Sequence, residues 1–209
     1  MASTPSCAEG RAELPDPECG LREMRMKPEV LIAYCTRSGA TAEVAQAIGR
    51  TVNEAGLAAQ VKAIADVQSI APGTEVVLGA AIYIGHFPRE FHRFLSRFEV
   101  ELAKVRPWIF VLGPTEKERK QFAAAEEQAR KELGKHPSLH AGDMRVLGGK
   151  FDPAHLNLPF PMSLIQKLPA NPMKKMPVSD IRDWEWIRRW AEAIAEEIAA
   201  RMSVSPMIR

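Results

Sequence analysis

The chain has 209 residues, 46% of them hydrophobic, enough to bury one sizeable core in a single domain with tails. Its 28 basic and 26 acidic residues leave a formal charge of +2, so no field of one sign is present to recruit nucleic acid. The three cysteines, Cys7, Cys19 and Cys35, cannot complete a disulfide framework and match no common zinc spacing, which points to a reducing cytoplasm and no metal site. No apolar run reaches about 18 residues, and the first 30 residues lack a basic start followed by an apolar stretch, which argues against a spanning helix and a secretory signal.

Residues 1–28 mix Pro, Glu, Gly, Ser and Arg with few large apolar side chains, and are expected to form a disordered tail. The domain is expected over 29–202. It opens with "EVLIAYC", a β-rich run that reads as a strand buried on both faces. Thr41, Val44, Ala45, Ile48 and Val52 then recur at helical spacing, with Glu43, Gln46 and Arg50 opposite, in a helix that ends near Gly56. "AAQVKAI" reads as a second strand and the run from Val76 to Ile82 as a third. Behind Pro88, the spacing of Phe91, Phe94, Leu95, Phe98 and Leu102 predicts one helix with an aromatic inner face.

A fourth strand is expected at Pro107–Gly113, a largely hydrated helix from about Glu116 to Leu133, and a fifth strand at "MRVLGG". The last helix is expected from about Arg182 to Arg201, with Trp184, Ile187, Ala191, Ile194 and Ile198 on its inner stripe and Trp186 and Trp190 off it, covering the segment before the helix or forming a dimer surface. Residues 203–209 read as a C-terminal tail. Five strand–helix alternations imply an α/β fold, with a five-stranded parallel sheet, right-handed crossovers and helices on both faces, giving three layers.

The segment 151–179 interrupts this rhythm. Six prolines lie between Lys150 and Ser179, among Phe160, Met162, Leu164, Ile165 and Leu168 and beside Lys167, Lys174 and Lys175. Residues 154–176 carry two readings: an interfacial segment with apolar side chains in lipid and lysines at anionic headgroups, or a loop packed over the site or against a second subunit of a homodimer.

Function is most legible in "YCTRSGAT", residues 34–41, at the carboxyl end of the first strand. In an open parallel sheet ligands bind there, where strand order reverses. The helix start offers unpaired amides and a positive dipole end, Thr36, Ser38 and Thr41 add hydroxyls, and Gly39 allows a sharp turn. A phosphate cradle follows; the alternative is that these residues cap the helix. No Gly-Lys-Ser/Thr and no Gly-x-Gly-x-x-Gly is present, so a monophosphate held by neutral donors fits best.

"TRSGAT" resembles the flavodoxin phosphate loop, Ser/Thr-x-Ser/Thr-Gly-x-Thr, and "GAAIYIGHF" resembles the Ile-x-x-Gly-His-aromatic segment of bacterial menaquinone-dependent protoporphyrinogen oxidases, a branch of the flavodoxin superfamily. "RDW" before the last helix and the lysine-bearing insert also look like that branch. The resemblance covers roughly Glu29 to Arg201. It implies a doubly wound sheet in the order 2-1-3-4-5 with an insertion before the last helix. It also implies FMN as cofactor: Thr36, Arg37, Ser38, Gly39, Ala40 and Thr41 around the phosphate, Ala81, Ile82, Tyr83, Ile84, Gly85, His86 and Phe87 along one side of the ring, and Leu112, Gly113, Pro114 and Thr115 along the other.

In family terms the donor is a porphyrinogen and the acceptor a quinone, which places the protein in the cytoplasm or peripherally on the inner face of the cell membrane. His86 is the candidate for steering protons, against a reading as a loop histidine bonded to a carbonyl. Tyr83 and Ile84 stand where the oxidase has Arg and Tyr, and "GPTEK" at 113–117 lacks the aromatic with which flavodoxins sandwich the ring. Two rival readings are an electron carrier without its own substrate and a cofactor-free interaction domain of the same fold.

Overall fold

The structure, a computed structural model, describes residues 29–152 and 178–204. The tail expected at 1–28, residues 205–209 and most of the insert, including the membrane reading at 154–176, lie outside the described residues.

Val30, Leu31, Ile32 and Ala33 are all buried in β1 (Glu29–Tyr34). Side chains alternate across a strand, so each face of β1 needs its own cover. α1 (Ala40–Glu54) and β2 (Ala58–Ala63) follow, then a 3-10 turn at Ile64–Asp66 and β3 (Glu75–Ala81). α2 (Arg89–Arg97) and α3 (Glu99–Leu102) lead to β4 (Trp108–Leu112), α4 (Arg119–Leu133) and β5 (Asp143–Leu147). A short antiparallel ribbon of β6 (Lys150–Phe151) and β7 (Ser179–Asp180) precedes α5 (Trp184–Val204).

The sheet is parallel in the order β2-β1-β3-β4-β5 with helices on both sides, the flavodoxin-like arrangement expected. Val30, Ile32, Val77, Trp108 and Phe110 face one layer, where Val44 and Ile48 of α1 and Ile187, Ile194 and Ile198 of α5 close the core. Leu31, Ala33, Val76, Leu78, Ile109 and Val111 face the other, against Phe91, Phe94 and Leu95 of α2, Leu102 of α3 and Ala129 of α4. Tyr34 pairs with Gly79, Ala81 with Leu112, and Leu112 with Leu147. The loops after β1, β3, β4 and β5 therefore leave from one edge.

Three expectations change. The helix behind Pro88 breaks at Phe98 (φ −108°, ψ 26°), which nevertheless stays buried and packs its ring 4.9 Å from that of Phe94. Pro88 sits just before the first helical residue, its carbonyl accepting from Phe91 and His92. In α5 the inner stripe contains Trp190, not Trp184: Trp190 is buried, donates Nε1–H to Asp143 at 3.0 Å and meets Phe110 edge-on at 6.5 Å, while Trp184 is exposed beneath the Arg182 guanidinium at 4.5 Å. Trp186 stacks on Trp190 at 6.1 Å and is half-buried. Finally, α5 starts at Trp184, where the Asp183 carboxylate accepts the Trp186 amide at 2.9 Å as an N-cap, and it extends to Val204. No helix among the described residues is long and apolar enough to cross a membrane.

Gly79 of β3 is roofed by the Phe110 ring, so that an added Cβ would lie 2.1 Å from its nearest carbon. Overpacking of this kind costs about 1–3 kcal/mol. Gly79→Ala is expected to lower the urea midpoint accordingly without changing the slope; an unchanged midpoint would show that the Phe110 ring yields freely.

Candidate functional site

One residue beyond β1 the chain is still in register: the Cys35 amide donates to Gly79 O at 2.8 Å, and its buried thiol is pushed up to about 11 by desolvation first and the Glu90 carboxylate second. Cys35 thus sits as a small buried side chain with little thiolate. The chain then turns. Thr36 Oγ1 accepts the Gly39 amide at 3.0 Å, and Gly39 takes φ 86°, a conformation that disfavours any Cβ. Gly39 is the N-cap of α1, and among the described residues no side chain caps the helix. The capping role considered for Thr36, Ser38 and Thr41 is therefore not taken: Thr36 braces the turn instead.

The leading amides of an α-helix have no acceptor within it, and those of Ala40, Thr41 and Ala42 open α1. Thr41 Oγ1 is fully buried and has no hydrogen-bond partner among the described residues. A buried hydroxyl left unpaired costs about 1–3 kcal/mol. Open amides, a dipole end and an unsatisfied donor together suit a small oxyanion, and they fit the terminal phosphate of FMN.

Beside this turn lies a cavity of ≈ 540 Å³. Arg37, Ser38 and Ala40 border it, with Ala81, Ile82, Tyr83, Ile84 and His86 from the loop after β3, and Leu112, Gly113 and Thr115 from the loop after β4. Three expected stretches are thus brought together. Thr36, Gly39, Thr41, Gly85, Phe87 and Pro114 do not border this cavity. Tyr83 and His86 exchange two backbone hydrogen bonds, at 2.9 and 3.1 Å, around the turn Ile84-Gly85. Both turn residues have positive φ, 49° and 78°, which strains a β-branched residue such as Ile84. Its side chain is 79% exposed.

Tyr83 is half-buried, and burial raises its phenol above the usual range. Arg37 lies over its ring at 5.2 Å and reaches Glu90 at 3.7 Å, so its charge is already engaged.

The loop after β3 is held from below by Glu132 of α4, whose side chain is only 2% exposed. Its carboxylate accepts the Phe87 amide and faces His86 Nδ1, both at 3.2 Å, His92 Nε2 at 2.9 Å and Lys135 Nζ at 2.5 Å. Burial alone would raise its pKa, but hydrogen bonds from Lys135, His92, His86 and the Phe87 amide hold it down to about 2. His86 is bonded to this carboxylate and not to a carbonyl through its side chain. His92 Nδ1 meets His136 Nε2 at 2.9 Å, and desolvation followed by His92 lowers His136. Among the described residues no group of His, Cys, Asp and Glu could hold a metal ion.

Gly149, Lys150, Phe151 and Asp152 also line the cavity and were not anticipated. Their only sequence signal is the glycine pair after the fifth strand: the Gly149 amide donates to Pro114 O at 2.6 Å, and a Cβ on Gly149 would lie 2.7 Å from Gly113 O. Arg182, with 2% of its side chain exposed, secures this wall. It grips Asp180 through Nε at 2.8 Å and Nη2 at 2.5 Å, reaches Glu43 Oε2 at 2.8 Å and donates Nη1 to Ala40 O at 3.3 Å.

Glu132→Gln leaves buried donors facing an amide, and is expected to destabilise the protein by about 1–3 kcal/mol at pH 7. Because the folded carboxyl is depressed to about 2 from 4.5, its contribution is complete above 4.5 and fades as pH falls toward 2. Denaturant titrations of both proteins should therefore converge across that window; a gap independent of pH would contradict the assignment.

A family described as flavodoxin domain matches residues 31–170. A search of curated proteins gives no significant match. Among solved structures, flavodoxin 2 from Bacillus cereus superposes with a TM-score of 0.51 at 16% identity, covering 83% of this chain and 99% of that one. Rubredoxin oxygen:oxidoreductase from the anaerobe Desulfovibrio gigas superposes with 0.50 at 12% identity, over 86% of this chain and 38% of that one. These identities support the fold alone. The family match spans more than half of the chain and agrees with the strand order found here, so the protein belongs to the flavodoxin-domain family.

Proposed function

We propose that the protein binds FMN non-covalently at the mouth of the β1–α1 crossover and acts as a flavin-dependent oxidoreductase, with a reduced porphyrinogen-type aromatic as donor and a quinone as acceptor. The observation that carries FMN binding is the buried Thr41 hydroxyl, unpartnered among the described residues, beside open helix-start amides. FMN, when bound, supplies reversible uptake of electrons and protons at its ring nitrogens, while the protein supplies position and electrostatics.

In this reading Thr36 keeps Gly39 in its turn, Ser38 and Thr41 donate to phosphate, and Tyr83, Ile84 and Thr115 bound the ring. His86, held by Glu132, fixes the loop after β3 beside the ring edge. An enzyme with its own substrate is favoured by two features. The loop 113–117 offers no aromatic to cover the ring, and a second cavity of ≈ 630 Å³ shares Arg37, Tyr83 and His86 with the first, leaving room for a reactant. The porphyrinogen and the quinone rest on the likeness of the segment Ile82 to Phe87 to the oxidase. The electron-carrier reading is supported by membership of the flavodoxin-domain family.

Titration with FMN, followed by quenching of flavin fluorescence, is expected to saturate at one equivalent; a protein that refuses added FMN would refute the proposal. Anaerobic mixing with protoporphyrinogen and a soluble quinone separates the two uses, since an enzyme turns over repeatedly and a carrier does not. Thr41→Val is expected to act with opposite signs. The flavin-free protein should be as stable or up to about 2 kcal/mol more stable, and FMN affinity should fall by about tenfold, the loss of one phosphate hydrogen bond.

A further inference from the structure

We propose, on the basis of the FMN reading, that Lys150 is the counter-cation of the cofactor's phosphate, so that the site selects FMN over riboflavin by charge as well as by neutral donors. The loop 36–41 contains a single cation, Arg37, and that cation is engaged by Glu90 and Tyr83. Lys150 arrives from more than a hundred residues away. With Ser38, Glu43 and Asp152 it lines a polar cavity of ≈ 220 Å³, and both Ser38 and Lys150 also border the larger cavity.

Lys150 shares the Glu43 carboxylate with Arg182. Its Nζ lies 3.3 Å from Glu43 Oε1, while the other oxygen of that carboxylate receives Arg182 Nη2 at 2.8 Å. Arg182 is locked: it is buried and its nitrogens are shared among Asp180, Glu43 and Ala40 O. Lys150 is 31% exposed and holds the longer contact. Its ammonium can turn to an incoming phosphate while Glu43 remains neutralised by Arg182. A dianion placed beside Ser38 adds negative charge near the Glu43 carboxylate, and a cation drawn toward it offsets part of that repulsion.

The backbone that carries Lys150 is fixed on both sides. Lys150 pairs with Asp180 in the β6–β7 ribbon, Gly149 N donates to Pro114 O at 2.6 Å, and Gly149 O accepts from Ile181 N at 3.1 Å. The side chain therefore swings from an anchored base, which keeps its ammonium within the same small cavity as Ser38. Charge-assisted hydrogen bonds to phosphate are about twice as strong as neutral ones.

The test compares dissociation constants for FMN and riboflavin in the wild type, Lys150→Gln and Lys150→Arg. Lys150→Gln is expected to weaken FMN binding about tenfold, the scale of one charge-assisted bond, with riboflavin within about twofold. Lys150→Arg should keep most of the FMN affinity. The FMN affinity of the wild type should also fall more steeply with added potassium chloride than that of Lys150→Gln, since only the former carries the screened pair. An unchanged FMN constant in Lys150→Gln, or losses of equal size for FMN and riboflavin, overturns the role of Lys150 and leaves the FMN reading intact. A wild type that binds neither flavin overturns both. Thermal melting of the flavin-free proteins guards against a folding defect: a lowered melting point with an unaltered FMN-to-riboflavin ratio also counts against the proposal.

Discussion

The reversal of strand order at β1 is the constraint from which the site follows. Because β2 pairs with one side of β1 and β3 with the other, the crossovers leaving β1 and β3 pass to opposite faces of the sheet. α1 packs in one layer and α2 in the other. Their loops part at the carboxyl edge and open the space that the cavity occupies. The apolar strands make this geometry rigid, since every residue from Val76 to Ala81 is buried. What lines the gap is then decided by the few residues at each strand end.

A second level of organisation comes from charge buried at the rim. Arg182 joins the ribbon before α5 to the first turn of α1, and Glu132 joins α4 to the loop after β3. Neither pair is a surface bridge of small worth; each includes a side chain almost without contact with water, so removing one partner would strand a charge. In both cases the buried ion meets backbone as well as side chains: Ala40 O for Arg182, Phe87 N for Glu132. The walls of the cavity are therefore positioned by interactions that tolerate little displacement.

The central strands β1, β3 and β4 were legible as nearly continuous apolar runs and the long helices by their repeat at 3.6 residues, while the strand order came from the resemblance carried by the loops. "TRSGAT" was legible because hydroxyls and a glycine at a strand end have few other uses. Arg182 and Glu132 were not. Arg182 sits beside aspartates near a helix start and Glu132 in a charged, alanine-rich helix, so both read as solvated positions; burial was imposed by elements distant in sequence. Trp190 was misjudged for a related reason: Asp143 of β5 takes its indole N–H, and no helical spacing reveals that partner. The ribbon of β6 and β7 is two residues long on each side, too short for any periodicity to register.

Ile84 is a branched side chain held out in water on a left-handed turn. Both penalties fall on the protein in its ligand-free form: hydrocarbon is hydrated, and the backbone adopts a shape that glycine would take more readily. A flat aromatic guest laid across this knuckle would dry it, recovering part of the transfer free energy while leaving the turn as it is. The guest would then work as a missing piece of the hydrophobic surface and would hide this apolar side chain from other chains for as long as it stayed.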